Sequence, residues 1–138
     1  MLYYIYCNEM WNQLDGLTGL LSQKSYLNRT LNLQPEDKML IVLDLDNFKY
    51  INDTYGHQAG DQCLKVIAEC LKKAYSRYGN CYRIGGDEFC VLFRKPEKEK
   101  YCREKFYWII EKQKKSLHML PGASYGSALI EEQESISD

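Results

Sequence analysis

The chain has 138 residues, 45% of them apolar, and a formal charge of −1, which is enough for one domain with a substantial core. No basic excess points to nucleic acid, no apolar run approaches a bilayer span, and Met1 to Tyr6 lacks the charged start and cleavage pattern of a secretion signal. Six cysteines at positions 7, 63, 70, 81, 90 and 102 show no Cys-x-x-Cys spacing, so buried, reduced thiols and a cytoplasmic domain without direct membrane contact are expected.

In chain order, residues 3–13 are expected to form a helix whose Tyr3, Tyr4, Tyr6 and Trp11 offer more aromatic surface than an isolated helix would expose. A second helix follows over 22–32, then a strand over 38–44. Met39 to Leu43 is the continuous apolar run of a central strand, and Asp44 ends it, where ligands usually lie in alternating-sheet folds. A short helix over 48–55 comes next. Leu64, Ile67, Ala68 and Leu71 then recur at helical spacing, predicting a long amphipathic helix over 57–77. Residues 81–84 and 89–93 read as a hairpin closed by Gly85 and Gly86 as a two-residue turn of positive φ. That turn would place Cys81 opposite Cys90, within reach of an oxidative link. Pro96 opens a helix with Cys102, Phe106, Ile109 and Ile110 facing inward, and Pro121 starts a last strand. The order predicts an α/β fold with a mostly antiparallel central sheet flanked by helices.

Chemistry concentrates in two stretches. Asp87 and Glu88 follow the paired glycines at the hairpin tip, and strand alternation predicts that they diverge. A glycine-acid run of this kind is also an ordinary surface turn. Asp44 is an N-cap by the plainest reading, but Asp44 with a tip carboxylate would also make a sufficient protein share of an Mg²⁺ site. His57 has no second histidine nearby and directly precedes a predicted helix, so a structural role is expected of it, and His118 is expected to be a surface residue.

Arg83-Ile84-Gly85-Gly86-Asp87-Glu88-Phe89, Asp44-x-Asp46-x-Phe48-Lys49-x-x-Asn52-Asp53 and Gly56-His57-x-x-Gly60-Asp61 together resemble the GGDEF family of diguanylate cyclases. Asp15-Gly16-Leu17-Thr18-Gly19-Leu20 is similar to the family's opening motif, and Ser124-Tyr125-Gly126-Ser127-Ala128 to its later strand. The resemblance implies a fold similar to the palm of nucleotide cyclases and polymerases. It also implies condensation of two GTP molecules into cyclic di-GMP and two pyrophosphates. Asp44, Glu88 and the carbonyl of Leu45 would hold Mg²⁺ or Mn²⁺. Asp87 and Glu88 would be catalytic, with Asp87 left open between activating a 3′-hydroxyl and binding a second metal. Asn52 and Asp61 would read guanine, Leu17 would line the base pocket, and Gly86 would let the backbone approach the nucleotide. Asn47 and Phe48, through their backbone, and Lys49 would face the phosphates.

Residues 1–14 are expected to be a linker helix from an upstream sensor domain of a parent protein that is itself membrane-anchored in some arrangements. Residues 15–138 would be the GGDEF domain, lacking the family's last helix and strand. Turnover would need a homodimer, because each chain binds one GTP; the alternative is a catalytically weak domain that binds GTP and regulates a partner domain. Ser76 and Gly79 occupy the places of the family's product-inhibition Arg and Asp, so no inhibitory site of that type is expected.

Overall fold

The computed structural model describes residues 13–131; the expected helix over 3–13, with its four aromatic residues, and Cys7 lie outside them except for Gln13. Within this span Ser22 caps helix α1 (Gln23–Leu31), its side chain accepting from the Ser25 N–H. Strand β1 (Met39–Leu45) leads through a two-residue connection to helix α2 (Phe48–Tyr55). Helix α3 (His57–Tyr75) follows Gly56, whose φ of 93° turns the chain sharply between the two helices. Strands β2 (Gly79–Arg83) and β3 (Glu88–Phe93) form the hairpin. A 3₁₀ turn at Pro96–Lys98 starts helix α4 (Glu99–Lys114), and β4 (Ala123–Leu129) closes the described fold. These elements fall within two residues of the ranges expected from sequence. Among the described residues no helix is long and apolar enough to cross a membrane.

The four strands lie in the order β2-β3-β1-β4, each pairing antiparallel. Alternation along the strands divides the core. Ile41, Leu43, Leu45, Phe89, Val91 and Phe93 pack with Ile67, Leu71, Phe106 and Ile110 of α3 and α4. On the other face Tyr82, Cys90 and Leu92 form a smaller cluster joined by Tyr26 of α1, whose ring meets Tyr82 edge-on at 5.7 Å.

The hairpin departs from expectation. Arg83 pairs with Phe89, and the N–H groups of Ile84 and Gly85 both donate to the Glu88 carbonyl (2.9 and 3.3 Å), so the tip is the three residues Gly85, Gly86 and Asp87. Neither tip glycine has positive φ; the described residues that do are Gly19, Gly56 and Asn47. Cys81 therefore faces Val91, while Cys90 faces Tyr82, and the two thiols sit in different clusters on opposite faces of the sheet. The in-out pattern sets this register, since slipping β2 by one residue would turn Tyr82 away from Tyr26 and into the α3/α4 face. The expected oxidative link is excluded by this geometry. Cys63, Cys70, Cys81, Cys90 and Cys102 are buried and free. Burial pushes Cys70 to about 11 and Cys81 to about 12, which leaves them inert as thiols at neutral pH.

Candidate active site

The site begins with the alternation of β1. Ile41, Leu43 and Leu45 are buried against the helices, which sends Asp44 to the opposite face at the end of the strand. There it stands between Glu88 of β3 and Ser124 of β4 in the pairing register. Asp87 joins them because its carbonyl accepts from the Leu45 N–H at 3.1 Å, tying the tip to the end of β1. The two tip acids thus do not diverge. Asp87 lies in the loop before β3 begins, where strand alternation does not govern it, and both acids act on Asp44.

The electrostatic result is a crowded carboxyl. Asp44 is pushed above the usual carboxylate range, first by desolvation, then by the charge of Asp87 and a hydrogen bond shared with it, and then by Glu88 and Asp46. Among the described residues no three His, Cys, Asp or Glu side chains close around one point as a ready metal cage. The donor set nevertheless fits a hard divalent cation: two or three carboxylates and the Leu45 carbonyl offer only oxygen, and a cation would relieve the repulsion around Asp44. Mg²⁺ commonly takes its remaining ligands from phosphate and water.

The turn after β1 suits phosphate. Asn47 has φ 55° and ψ 35°, the one non-glycine residue of positive φ among those described, and its side chain makes no capping bond to α2. The first N–H groups of α2 are therefore left without that cap. Lys49 is exposed and forms no ion pair among the described residues. Phe48 is half-buried and packs on the core, as does Leu17; a ligand would meet Phe48 through its backbone.

Helix α2 places Asn52 against α3 at Gly60, the residue before Asp61 in sequence. A Cβ on Gly60 would lie 1.9 Å from Asn52 Oδ1 and 3.4 Å from a Phe48 ring carbon. The Asn52 amide thus rests directly on α3, one residue before the exposed Asp61. At the tip, a Cβ on Gly85 would crowd the Glu88 side chain at 3.1–3.3 Å, whereas one on Gly86 meets nothing within 4 Å. Gly86→Ala is accordingly expected to leave the unfolding temperature of the chain unchanged, which calorimetry of the variant checks. At Gly79 the packing is closed: a Cβ would stand 2.6 Å from the Leu92 carbonyl oxygen and 2.8 Å from Val91 Cγ1. An acid there would not fit.

Sequence reading did not assign Asp46, Ser124, Asp15 or Arg83. Ser124 Oγ donates to Asp46 Oδ1 at 2.6 Å across 78 residues of chain, and Arg83 links the tip to Asp15. All four stood within recognised motifs, but motif membership does not reveal a partner distant in sequence.

A family model described as "Diguanylate cyclase, GGDEF domain" matches residues 12–138. Diguanylate cyclase DgcZ of Escherichia coli is 36% identical over 105 residues, which is 73% of this chain and 36% of that protein. Diguanylate cyclase DgcS of Shewanella oneidensis is 39% identical over 90 residues, 61% of this chain and 30% of that protein. The chain thus spans about a third of the length of these curated relatives. The solved GGDEF domain of DgcB from Caulobacter crescentus, in complex with c-di-GMP, aligns with a TM-score of 0.71 at 26% identity, covering 86% of this chain and 78% of that one.

Proposed function

We propose, since the chain belongs to the GGDEF domain family of diguanylate cyclases, that it condenses two GTP into cyclic di-GMP and two pyrophosphates as part of second-messenger signalling. The observation that carries this reading is the convergence of Asp87 and Glu88 on Asp44 at the end of β1, beside an uncapped helix N-terminus suited to phosphate.

In this reading Asp44, Glu88 and the Leu45 carbonyl would hold Mg²⁺ or Mn²⁺. Such an ion supplies neutralisation of the triphosphate and of the charge that develops on displacement. The 3′-hydroxyl oxygen of one GTP forms a bond to the α-phosphorus of the other, and the bond from that phosphorus to pyrophosphate breaks. The hydroxyl proton passes to Asp87, the acid beside Asp44, by direct contact or through a water. Two such exchanges close the ring. One GTP per chain requires two chains face to face, so specific activity is expected to rise with protein concentration.

Asp61 accepts from guanine N1–H and N2–H, and Asn52 completes the base contact. Adenine has no N1–H, so GTP is favoured over ATP. Leu17 packs on the apolar side of the base, the backbone at Asn47 and Phe48 with Lys49 meets the phosphates, and Gly86 admits the nucleotide. GTP chemistry of this kind belongs in the cytoplasm. Titration with GTP and ATP in Mg²⁺ tests base reading: Asp61→Ala should weaken GTP about 10- to 100-fold, the worth of a charged hydrogen-bond pair, and leave ATP unchanged. Equal losses for both nucleotides would refute the assignment.

A further inference from the structure

Arg83 ends β2 and engages three partners, one through each guanidinium nitrogen. Nε donates to the Gly85 carbonyl at 3.2 Å, Nη2 donates to the Gly86 carbonyl at 2.8 Å, and Nη1 reaches both carboxylate oxygens of Asp15 at 3.2 Å. Asp15 is itself fixed. It accepts from the Thr18 N–H at 2.9 Å and the Thr18 hydroxyl at 2.7 Å, and the turn it starts is closed by the Asp15 N–H donating to the Leu20 carbonyl at 2.7 Å. That turn is docked on β2: Leu21 N–H donates to the Cys81 carbonyl, and Arg83 N–H donates to the Leu21 carbonyl. Burial works to raise Asp15, but the Thr18 bonds and then Arg83 outweigh it and hold the carboxyl below its usual range.

We infer that Arg83 is a positioning residue for the cyclase reaction: its fork, braced by Asp15, fixes the orientation of the two glycine peptides and so aims Asp87 and Glu88 at Asp44. This inference rests on the cyclase reading above. Tip residues Gly86 and Asp87 contribute no other backbone bonds within the hairpin, and the remaining anchor is the Asp87 carbonyl on Leu45. In a trans peptide the N–H opposes the carbonyl. With the Gly85 and Gly86 carbonyls turned to Arg83, the Gly86 and Asp87 N–H groups face away from it, as donors without a backbone partner among the described residues. Lysine cannot reproduce this, because one ammonium does not supply three donors in a plane.

The test compares the full chain with Arg83→Gln, Arg83→Lys, Asp15→Asn and the Arg83→Gln/Asp15→Asn pair. Readouts are turnover, GTP affinity and amide NMR of residues 84–88. Arg83→Gln is expected to lower kcat at least about 30-fold with GTP affinity falling no more than about tenfold, since the base is still read at Asn52 and Asp61 while the share of the nucleotide contact at Gly86 is lost. Arg83→Lys should not restore kcat, and the pair should be no worse than Arg83→Gln alone. The amides of Gly85 to Asp87 should shift and lose order in the Arg83 variants. A kcat within threefold of wild type, rescue by Lys, or unmoved tip amides would overturn the inference; so would kcat and GTP affinity falling together with the folded fraction. Wild type that makes no product would instead refute the cyclase reading, and the tip amides would still decide whether Arg83 holds the tip.

Discussion

Replacing Asp44 by Asn is expected to cut cyclic di-GMP formation about 10³-fold while making the metal-free chain more stable. The two effects have one cause. Asp44 is raised in the fold by desolvation and by Asp87, Glu88 and Asp46, so the folded state holds its proton more tightly than the unfolded state. Stability from this group is therefore fully present below the unfolded value of 3.8 and is lost as pH rises through the raised folded value. Asn never ionises and escapes that loss. Unfolding curves without divalent ions should show the variant gaining on wild type as pH increases, and Mg²⁺ should stabilise wild type but not the variant. A variant less stable than wild type at neutral pH would contradict the crowded-carboxyl description.

The second large effect is expected at Gly60. Alanine there would put its Cβ 1.9 Å from Asn52 Oδ1, a separation that no side-chain relaxation short of moving Asn52 can accommodate. The amide must swing off α3, away from Asp61. Loss of that contact and the accompanying overpacking should weaken GTP binding about 10- to 100-fold. Stability should change little, because alanine is favoured over glycine inside a helix by about 1 kcal/mol and Asn52 is only half-buried. Isothermal titration of Gly60→Ala, Asn52→Ala and the double variant separates the contributions. The double variant should bind GTP no worse than Asn52→Ala alone. A Gly60→Ala chain with wild-type affinity would show that Asn52 does not read the base from this position.

The helices and strands were legible because their apolar residues repeat with clear periods: Leu64, Ile67, Ala68 and Leu71 all lie buried on α3, and Ile41 and Leu43 on β1. The family was legible because five motifs stand in order. The hairpin tip was not. Gly85 and Gly86 fit a two-residue turn by local preference, but the register is set by Tyr82 against Tyr26 and by the Asp87 carbonyl on Leu45, contacts made with other parts of the chain. For the same reason the convergence of Asp87 and Glu88 was misjudged, and Arg83 was passed over as a strand residue. Its partner Asp15 is 68 positions away. Gly60 was visible only as one letter of a motif; its steric reason, the Asn52 amide, required the packing of α2 on α3.

The most direct measurement is incubation of the chain at high protein concentration with GTP and Mg²⁺, followed by identification of the nucleotide products, in parallel with Glu88→Gln. Cyclic di-GMP and two equivalents of pyrophosphate are expected from wild type, at a rate per chain that rises with concentration, and at least about 100-fold less from Glu88→Gln with its fold intact. GTP bound but unconverted by wild type at every concentration, or equal product from the Glu88 variant, would contradict the account.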